Sequence, residues 1–535
     1  MAITDQHTQV LIVGAGPSGL MMASQLLRYG IQPLIIDNKQ GPTSHSNAVG
    51  VQARSLEIYR QLGIINHVIP YGKPTGGLSF NQGGKQRATF SLRNVGTGMT
   101  PFPYLFLYQQ SKNERALLDN LTQNCCPVYW DTTLISLQQE PGSVTATLKT
   151  NGEEQVLKCH WAIGADGAHS AVRKQSQIPF KGDTYPSFFY LADLKLDTDF
   201  LTCDYIRLYL DKDNLAGFFP LPEKDRYRII GTLPNEFDNR EDVTADDMLP
   251  YLSDLTKSTV TIEENHWFTT YKLHHRMAER FREQRCFLIG DAAHIHSPVG
   301  GQGMNTGLQD AYNLAWKLAG VINGQIRDSI LDSYADERMP VAKRLLSTTD
   351  KAFNIVMSKS WLTRMYRQWI LPNVLNLAWR SKKIRTFFFK VVSQIGINYR
   401  ESNINLHLSK STKVKAGDRI PYLKVYDEKK EIETDLHEWC AKPGFTLIVF
   451  GKFDEMFLFT IAKWITNKYP GMLNFFYLPP SGKNVEVFEA FEADPHKQMA
   501  IVVRPDMHIG YMNDVVDLGM IDNYLQNVVG IIPQK

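Results

Sequence analysis

The sequence predicts an α/β protein of several domains, built on a parallel sheet whose strands end in ligand-binding loops. Three observations carry that prediction. Residues 10–13 read V-L-I-V and run into G-A-G-P-S-G at Gly14–Gly19, followed by an apolar stripe at Leu20, Ala23 and Leu27. Strand, glycine turn and helix in that order open a doubly wound sheet. Two later apolar runs, Trp161–Gly164 and Cys286–Ile289, also lead through glycine to an acid, Asp166 and Asp291. Beyond residue 415 the strand-like Phe445–Phe450, the helix-like Met456–Asn467 and the strand-like Ala500–Val503 form a separate α/β unit.

Each part of the opening unit has a physical task. Glycines let the backbone turn sharply and approach a pyrophosphate. Pro17 suits the first turn of a helix, where its missing N–H costs nothing. The helix start offers free N–H groups and a positive dipole end to phosphates. A second apolar run, Leu34–Ile36, ends on Asp37, eighteen positions after Gly19, where an acid can accept from ribose hydroxyls. The glycine pattern alone is weak; with strand, helix and acid in place it is a strong dinucleotide signature.

Bulk properties narrow the class. A chain of 535 residues predicts about two to four domains. Apolar content of 43% and charged content of 21% are those of a globular protein. A net charge of +3 argues against binding driven by phosphate neutralisation, so no nucleic-acid partner is expected. Met1–Gln9 is polar, with no cationic apolar leader, and no apolar run reaches the roughly eighteen residues of a membrane span. The six cysteines, Cys125, Cys126, Cys159, Cys203, Cys286 and Cys440, form neither a zinc clip nor a C-x-x-C pair. Reduced thiols in a cytoplasmic protein are expected.

The remaining elements follow in order. Gly41–Gly50 is loop-like, and Ser55–Gly63 reads as a short helix stopped by Gly63. Gly72–Gly98 predicts hairpins; Gln110–Leu121 predicts a helix burying Leu117, Leu118 and Leu121. Val128–Gln139 and Ser143–Lys149 alternate β-branched and polar residues, as in a small ribbon. Asp37, Asp166 and Asp291 then stand at three strand ends, which suggests one long ligand lying across the sheet edge. Gln177–Arg282 is a strand-rich insertion, with runs at Phe188–Leu196, Tyr205–Leu210, Gly217–Pro220 and Tyr227–Leu233. One large sheet made from it would roof an apolar pocket. Gly300, Gly301, Gly303 and Gly307 precede a helix with Leu308, Ala311, Ala315, Leu318 and Ile322 on its apolar face, and Thr306 and Gln309 have capping-box spacing. This second glycine loop brings amides to another point of the ligand. His294 and His296 with Asp291 lack a third ligand, so no metal is expected. Trp369–Lys390 is amphipathic and basic, a pattern that touches membranes, but Pro372 interrupts it and packing on the protein itself is the favoured reading. Lys415–Pro421 reads as a linker or domain opening. The expected divisions are 1–176 with 283–349, the insertion 177–282, a helical region 350–410, and 411–535.

Taken together, these stretches resemble the FAD-dependent aromatic hydroxylases, the single-component flavoprotein monooxygenases typified by p-hydroxybenzoate hydroxylase. The longer phenol and polyketide hydroxylases are more similar still. The likeness is carried by Gly14–Gly19, Asp166-Gly167, Gly290–Leu318, Q-x-x-x-E at Gln110–Glu114 and R-P-D at Arg504–Asp506, and it covers nearly the whole chain. It implies a Rossmann-like FAD-binding domain, an inserted β-sheet substrate domain, and a C-terminal thioredoxin-like domain without redox work, which suits the lone Cys440. It also implies roles. Gly14, Gly16 and Gly19 hold the FAD pyrophosphate, Pro17 and Ser18 between them are cofactor-binding too, and Asp37 takes the adenosine ribose. Gln110 and Asp291 lie along the ribityl chain; Asp166 belongs to the motif the family associates with both FAD and NAD(P)H. Pro298 lies by the isoalloxazine, and Gly301, Gly303, Met304 and Asn305 bring amides to its pyrimidine end, where helix-start dipoles stabilise a reduced, anionic ring. Two departures stand out: Asn47 where the family often has Arg, with Arg54 as a candidate to compensate, and Ser297-Pro298 where Pro-Pro is usual.

The implied activity is a monooxygenation. NADH or NADPH reduces the flavin, O2 is held as a C4a-hydroperoxide, and one oxygen passes to a phenolic or polycyclic aromatic molecule. Arg207, Tyr209, Phe218 and Phe219 on the inserted sheet are the candidate substrate wall; no catalytic acid or base is assigned. Baeyer–Villiger oxidation, epoxidation or antibiotic inactivation by the same chemistry stay open, as does a flavin-binding protein without turnover. Beyond the aromatic substrate, a second copy of the chain is a partner the sequence neither requires nor excludes.

Overall fold

The computed structural model describes every residue except 1, 2, 4, 5, 45, 202, 203, 212, 213, 239, 241, 298, 299, 358, 359, 361–369 and 535. Its first sheet places Cys286–Leu288, Glu153–Gly164, His7–Val13, Leu34–Ile36 and Val128–Tyr129 side by side in that order. These neighbours all run parallel. Parallel strands are covered on both faces and so tolerate unbroken apolar runs; Val10, Leu11 and Ile12 are fully buried. The order matters for the site. It sets Asp291, Asp166, the Gly14–Gly19 turn and Asp37 in line along one edge. Val128–Gln139 is not one strand as expected: Asp131 has a positive φ of 51°, and Thr132–Glu140 turns away to pair with Ser143–Thr150.

A second sheet of eight strands runs His294–Ile295, Thr261–Ala278, Phe180–Asp197, Arg226–Thr232, Asn214–Pro220, Tyr205–Asp211, Gly77–Gln82, Lys85–Ser91. It reaches beyond residues 177–282. The hairpin expected within the first domain is added to its end, Gly77–Gln82 lying parallel to Tyr205–Asp211 with Phe80 opposite Leu208. The helix Leu249–Thr256 covers one face: Tyr209, Phe218, Ile229, Leu252 and Leu255 share one buried cluster.

The C-terminal unit holds a five-stranded sheet in the order Leu406–His407, Ile509–Asn513, Met499–Val503, Phe445–Phe450, Leu473–Leu478. Phe445–Phe450 is parallel to Leu473–Leu478 and antiparallel to Met499–Val503. Lys415–Pro421 is no free linker. Ile420 is fully buried, and Arg419 pairs with Glu57 at 3.2 Å, pinning this stretch against the first domain.

Candidate functional site

The three glycines of the first turn are required for different reasons. Gly14 has φ +105°, and a side chain there would collide with the Ala165 carbonyl. At Gly19 a side chain would collide with Gly14 itself. At Gly16 an added Cβ meets nothing within 4 Å. The outer glycines therefore serve the protein's own packing, and the middle one borders open space where a ligand backbone can approach. Pro17 begins the helix Pro17–Arg28, and no side chain caps it, so its first-turn amides stay available to an anion. Ser18 turns away from that edge. Its hydroxyl fills the gap between Gly290 and Gly307, where any added side chain would strike it. Its side chain packs between these glycines, while its backbone N–H lies in the uncapped first turn of the helix.

The three strand-end acids also divide. Asp37 accepts from the Ala15 N–H at 2.7 Å and from the Lys39 N–H at 2.9 Å. This fixes the turn, and a carboxylate retains lone pairs for a ribose hydroxyl. Asp166 accepts from the Ser170 hydroxyl at 2.5 Å and from the N–H groups of Ala171 and Val172 at 2.6 and 3.2 Å. Its carboxylate clasps the start of the helix Ala171–Gln175, so protein groups hold it in place at this strand end. Burial raises the Asp166 pKa, and these hydrogen bonds oppose the rise. Asp291 is exposed at this edge, and desolvation by the surrounding protein raises its pKa.

The second glycine loop shows the same division of labour. Gly300 and Gly301 take left-handed φ values of 84° and 61°, and the helix Gly303–Ile322 follows with no side-chain cap. Thr306 and Gln309 do not form the expected capping box, because the helix starts three residues before Thr306. The Thr306 hydroxyl donates to the Gln302 carbonyl at 2.9 Å, one turn back within the helix. Asn305 is buried and makes four hydrogen bonds: its Oδ1 accepts from the Gln52 N–H and the Ser55 hydroxyl, and its Nδ2 donates to the Gly50 and Gly301 carbonyls. The Met304 sulfur accepts from Asn113 at 3.3 Å. Both side chains thus face the protein and leave backbone amides for a ligand. A Cβ on Gly303 would lie 3.1 Å from His296 Nε2. Pro298 lies outside the described residues.

Gln110 donates to Glu114 at 2.9 Å and accepts from the Ala48 N–H at 3.2 Å, tying the Gly41–Gly50 loop to its own helix. Asn47 on that loop is exposed. Arg54 does not take its place at the cleft. It is buried, pairs with Glu57 at 3.0 Å and donates to the Asp506 carbonyl at 2.7 Å. A cavity of about 790 Å³ lies along the outer side of the Gln110–Gln123 helix, lined by Tyr71, Tyr108 and Arg115, and none of the expected cofactor residues borders it.

Sequence reasoning missed Asp310. This acid lies on the buried side of the Gly303–Ile322 helix and accepts from the Gly290 N–H at 3.1 Å, His294 Nε2 at 2.7 Å and Arg338 Nε at 2.7 Å. Burial alone would raise its pKa; the charges of Arg338 and His294 overcome that and hold it at about 2. Asp310 thereby sets the Gly290–Asp291 turn. The signal was present: an acid beside Ala311 on a face otherwise apolar. His296 donates from Nδ1 to the Ser297 carbonyl at 2.7 Å, and burial lowers its pKa to about 4.

The eight-stranded sheet offers two unlike faces. Tyr209 and Phe218 are buried against the Leu249–Thr256 helix, their rings 5.6 Å apart, and Arg207 hydrogen-bonds to Tyr209 on the same side. These three expected wall residues belong to the closed face. Phe219 points the other way, cross-strand from Arg228. On its face Phe80, Leu208, Phe219 and Ile230 are all half-buried. The same face meets the first domain: Arg228 donates to the Ser46 carbonyl, and Gln109 donates to Asp193 at 3.0 Å. Phe219 alone of the four candidates stands where a substrate wall can form.

A family model described as an FAD binding domain matches residues 7–349. Pentachlorophenol 4-monooxygenase of Sphingobium chlorophenolicum is 32% identical over 417 residues, 77% of this chain and 75% of that protein. 6-Methylpretetramide 4-monooxygenase of Streptomyces rimosus is 34% identical over 348 residues, 65% of this chain but only 62% of its own length. The structure of aklavinone-11 hydroxylase in ternary complex with FAD and aklavinone superposes with a TM-score of 0.81 at 22% identity, covering 98% of this chain and 100% of that one. A matched FAD-binding domain over most of the chain and a 32% identical aromatic monooxygenase covering 77% of it lead to one assignment: the chain belongs to the FAD-dependent aromatic monooxygenases.

Proposed function

We propose that this enzyme consumes NADH or NADPH and O2 to hydroxylate a phenolic or polycyclic aromatic molecule, held between the strand-end cleft and the half-buried face of the eight-stranded sheet. One observation carries the reading: Gly16 borders open space at an uncapped helix start, and an apolar face with Phe80, Leu208 and Phe219 adjoins the same domain. The relatives support an aromatic substrate, since pentachlorophenol and 6-methylpretetramide stand in their names.

FAD, when bound, supplies the redox chemistry and the activation of O2. The protein's part is positional. The amides after Gly16 hold the pyrophosphate, Asp37 takes the adenosine ribose, and Asp291 meets the ribityl chain. Amides of Gly303–Asn305 stabilise negative charge on the ring through the helix dipole. Phe219 and its neighbours exclude water from the reacting end. The insertion, with the Gly77–Ser91 hairpin, is assigned to substrate. Residues 411–535 are assigned a thioredoxin-like fold, supported by the strand order of the C-terminal sheet. Redox work there is unsupported: Cys440 is buried, which pushes its thiol up to about 12 and keeps it protonated.

The test is NAD(P)H oxidation by the holoenzyme with a panel of phenols and polycyclic aromatics. Substrate-stimulated oxidation with a hydroxylated product is the expected result. Oxidation that no aromatic stimulates would overturn the reading, and a ring-expanded or epoxide product would redirect it to the alternatives above.

A further inference from the structure

We propose that the helical pair Leu371–Trp379 and Lys382–Val392 docks the enzyme on an anionic lipid bilayer. Pro372 does not interrupt this stretch; it lies in the first turn of the Leu371–Trp379 helix, where proline is tolerated. Two apolar stripes then face outward. Ile370, Val374 and Leu377, spaced i, i+4, i+7, are 47, 50 and 68% exposed. Ile384, Phe387 and Val391, spaced i, i+3, i+7, are 43, 70 and 46% exposed. Single exposed apolar side chains are ordinary; five in register on two consecutive helices, with Ile370 at the cap of the first, form a patch.

The charge around the patch names the occupant. Between Asp350 and Glu401 the sequence holds ten Lys or Arg and no Asp or Glu. Arg380, Lys382, Lys383 and Lys390 are exposed beside the stripes. Apolar side chains able to enter the acyl boundary, flanked by cations at headgroup level, are the pattern of a helix lying in a membrane interface. A second copy of the same patch would bring like charges together, which disfavours self-association. Among the described residues no helix is long and apolar enough to cross a membrane, so the contact is peripheral.

The inner side of the pair borders the proposed substrate space. The Trp379 ring lies 5.1 Å from Phe90, which lies 5.7 Å from Phe80 on the half-buried face. A bilayer at the outer side would stand next to the route an apolar substrate takes. That consequence rests on the proposed function; the docking does not.

The experiment is sedimentation of the holoenzyme with vesicles of phosphatidylcholine alone and of phosphatidylcholine mixed with phosphatidylglycerol, at low and high salt. The wild type is expected to pellet only with the anionic vesicles, and less at high salt. The double variant Leu377→Glu with Phe387→Glu should bind them roughly tenfold more weakly, and Lys382→Gln with Lys383→Gln should lose the salt dependence, each with bound FAD and the gel-filtration volume unchanged. No pelleting with anionic vesicles, pelleting of the Leu377→Glu, Phe387→Glu variant equal to that of the wild type, or a wild-type dimer that the Phe387→Glu change dissociates would each overturn the proposal.

Discussion

Two polar regions of this molecule use similar side chains to opposite ends. At the junction with the C-terminal unit, Arg504 donates to Glu337 at 2.6 and 2.9 Å and to Asp506 at 3.1 Å. Lys317 adds a contact to Glu337 at 2.8 Å. All four side chains are essentially buried, and each charge is met by another. At the strand-end cleft the protein stops short: Asp291 faces outward, Gly16 borders open space, and two helix starts lack caps. The difference teaches where to look for a ligand. A buried ionic cluster that closes on itself holds domains together, whereas a row of groups left without protein partners awaits another molecule.

The comparison can be broken first at its closed end. Replacing Glu337 with Ala takes the carboxylate from buried Lys317 and leaves Arg504 with Asp506 alone; it is expected to cost about 3–5 kcal/mol, read as a large fall in Tm, and a loss under about 1 kcal/mol would mean water relieves the site. The next test contrasts the two sheet faces. Phe218→Ala should destabilise by about 3–5 kcal/mol through a cavity. Phe219→Ala should barely move Tm and instead raise KM for an aromatic substrate roughly tenfold. Equal thermal losses would erase the distinction between the faces.

Asp310 supplies a pH test. The folded state holds its carboxylate at about 2, below the ordinary 3.8. Its ionisation therefore favours folding above about pH 4, and that contribution, about 2–3 kcal/mol, drains away as pH falls towards 2. Asp310→Asn should flatten acid unfolding in this window, compared with the wild type by denaturant titration at each pH. The smallest effect belongs to the open end. Gly16→Ala should leave the Tm of the FAD-free protein unchanged and weaken FAD about tenfold, near 1.4 kcal/mol, measured by flavin fluorescence. The same change at Gly14 should instead reduce stability, because its φ and its contact with Ala165 both exclude a side chain.

Much of this was legible in the chain itself. The V-L-I-V run, the Gly14–Gly19 turn, the acids after three apolar runs and the glycine loop before a long helix are local patterns, set by backbone sterics and by periods of two or 3.6 residues. They pointed to a dinucleotide and to the strand-end edge as its expected place. Tertiary structure decided what each polar group does there. Asp166 and Asp37 look alike in sequence, but one clasps a helix and the other the glycine turn. Arg54 stands near the loop containing Asn47 in the chain, yet its partners, Glu57 and the Asp506 carbonyl, draw it into the domain junction. Phe218 and Phe219 are adjacent, and alternation puts them on opposite faces; only the helix Leu249–Thr256 decides which face is closed. Lys415–Pro421 reads as a linker until Glu57 meets Arg419. In each case the deciding partner lies elsewhere in the fold, and a hydrogen bond or a covered face depends on distances that local sequence does not encode.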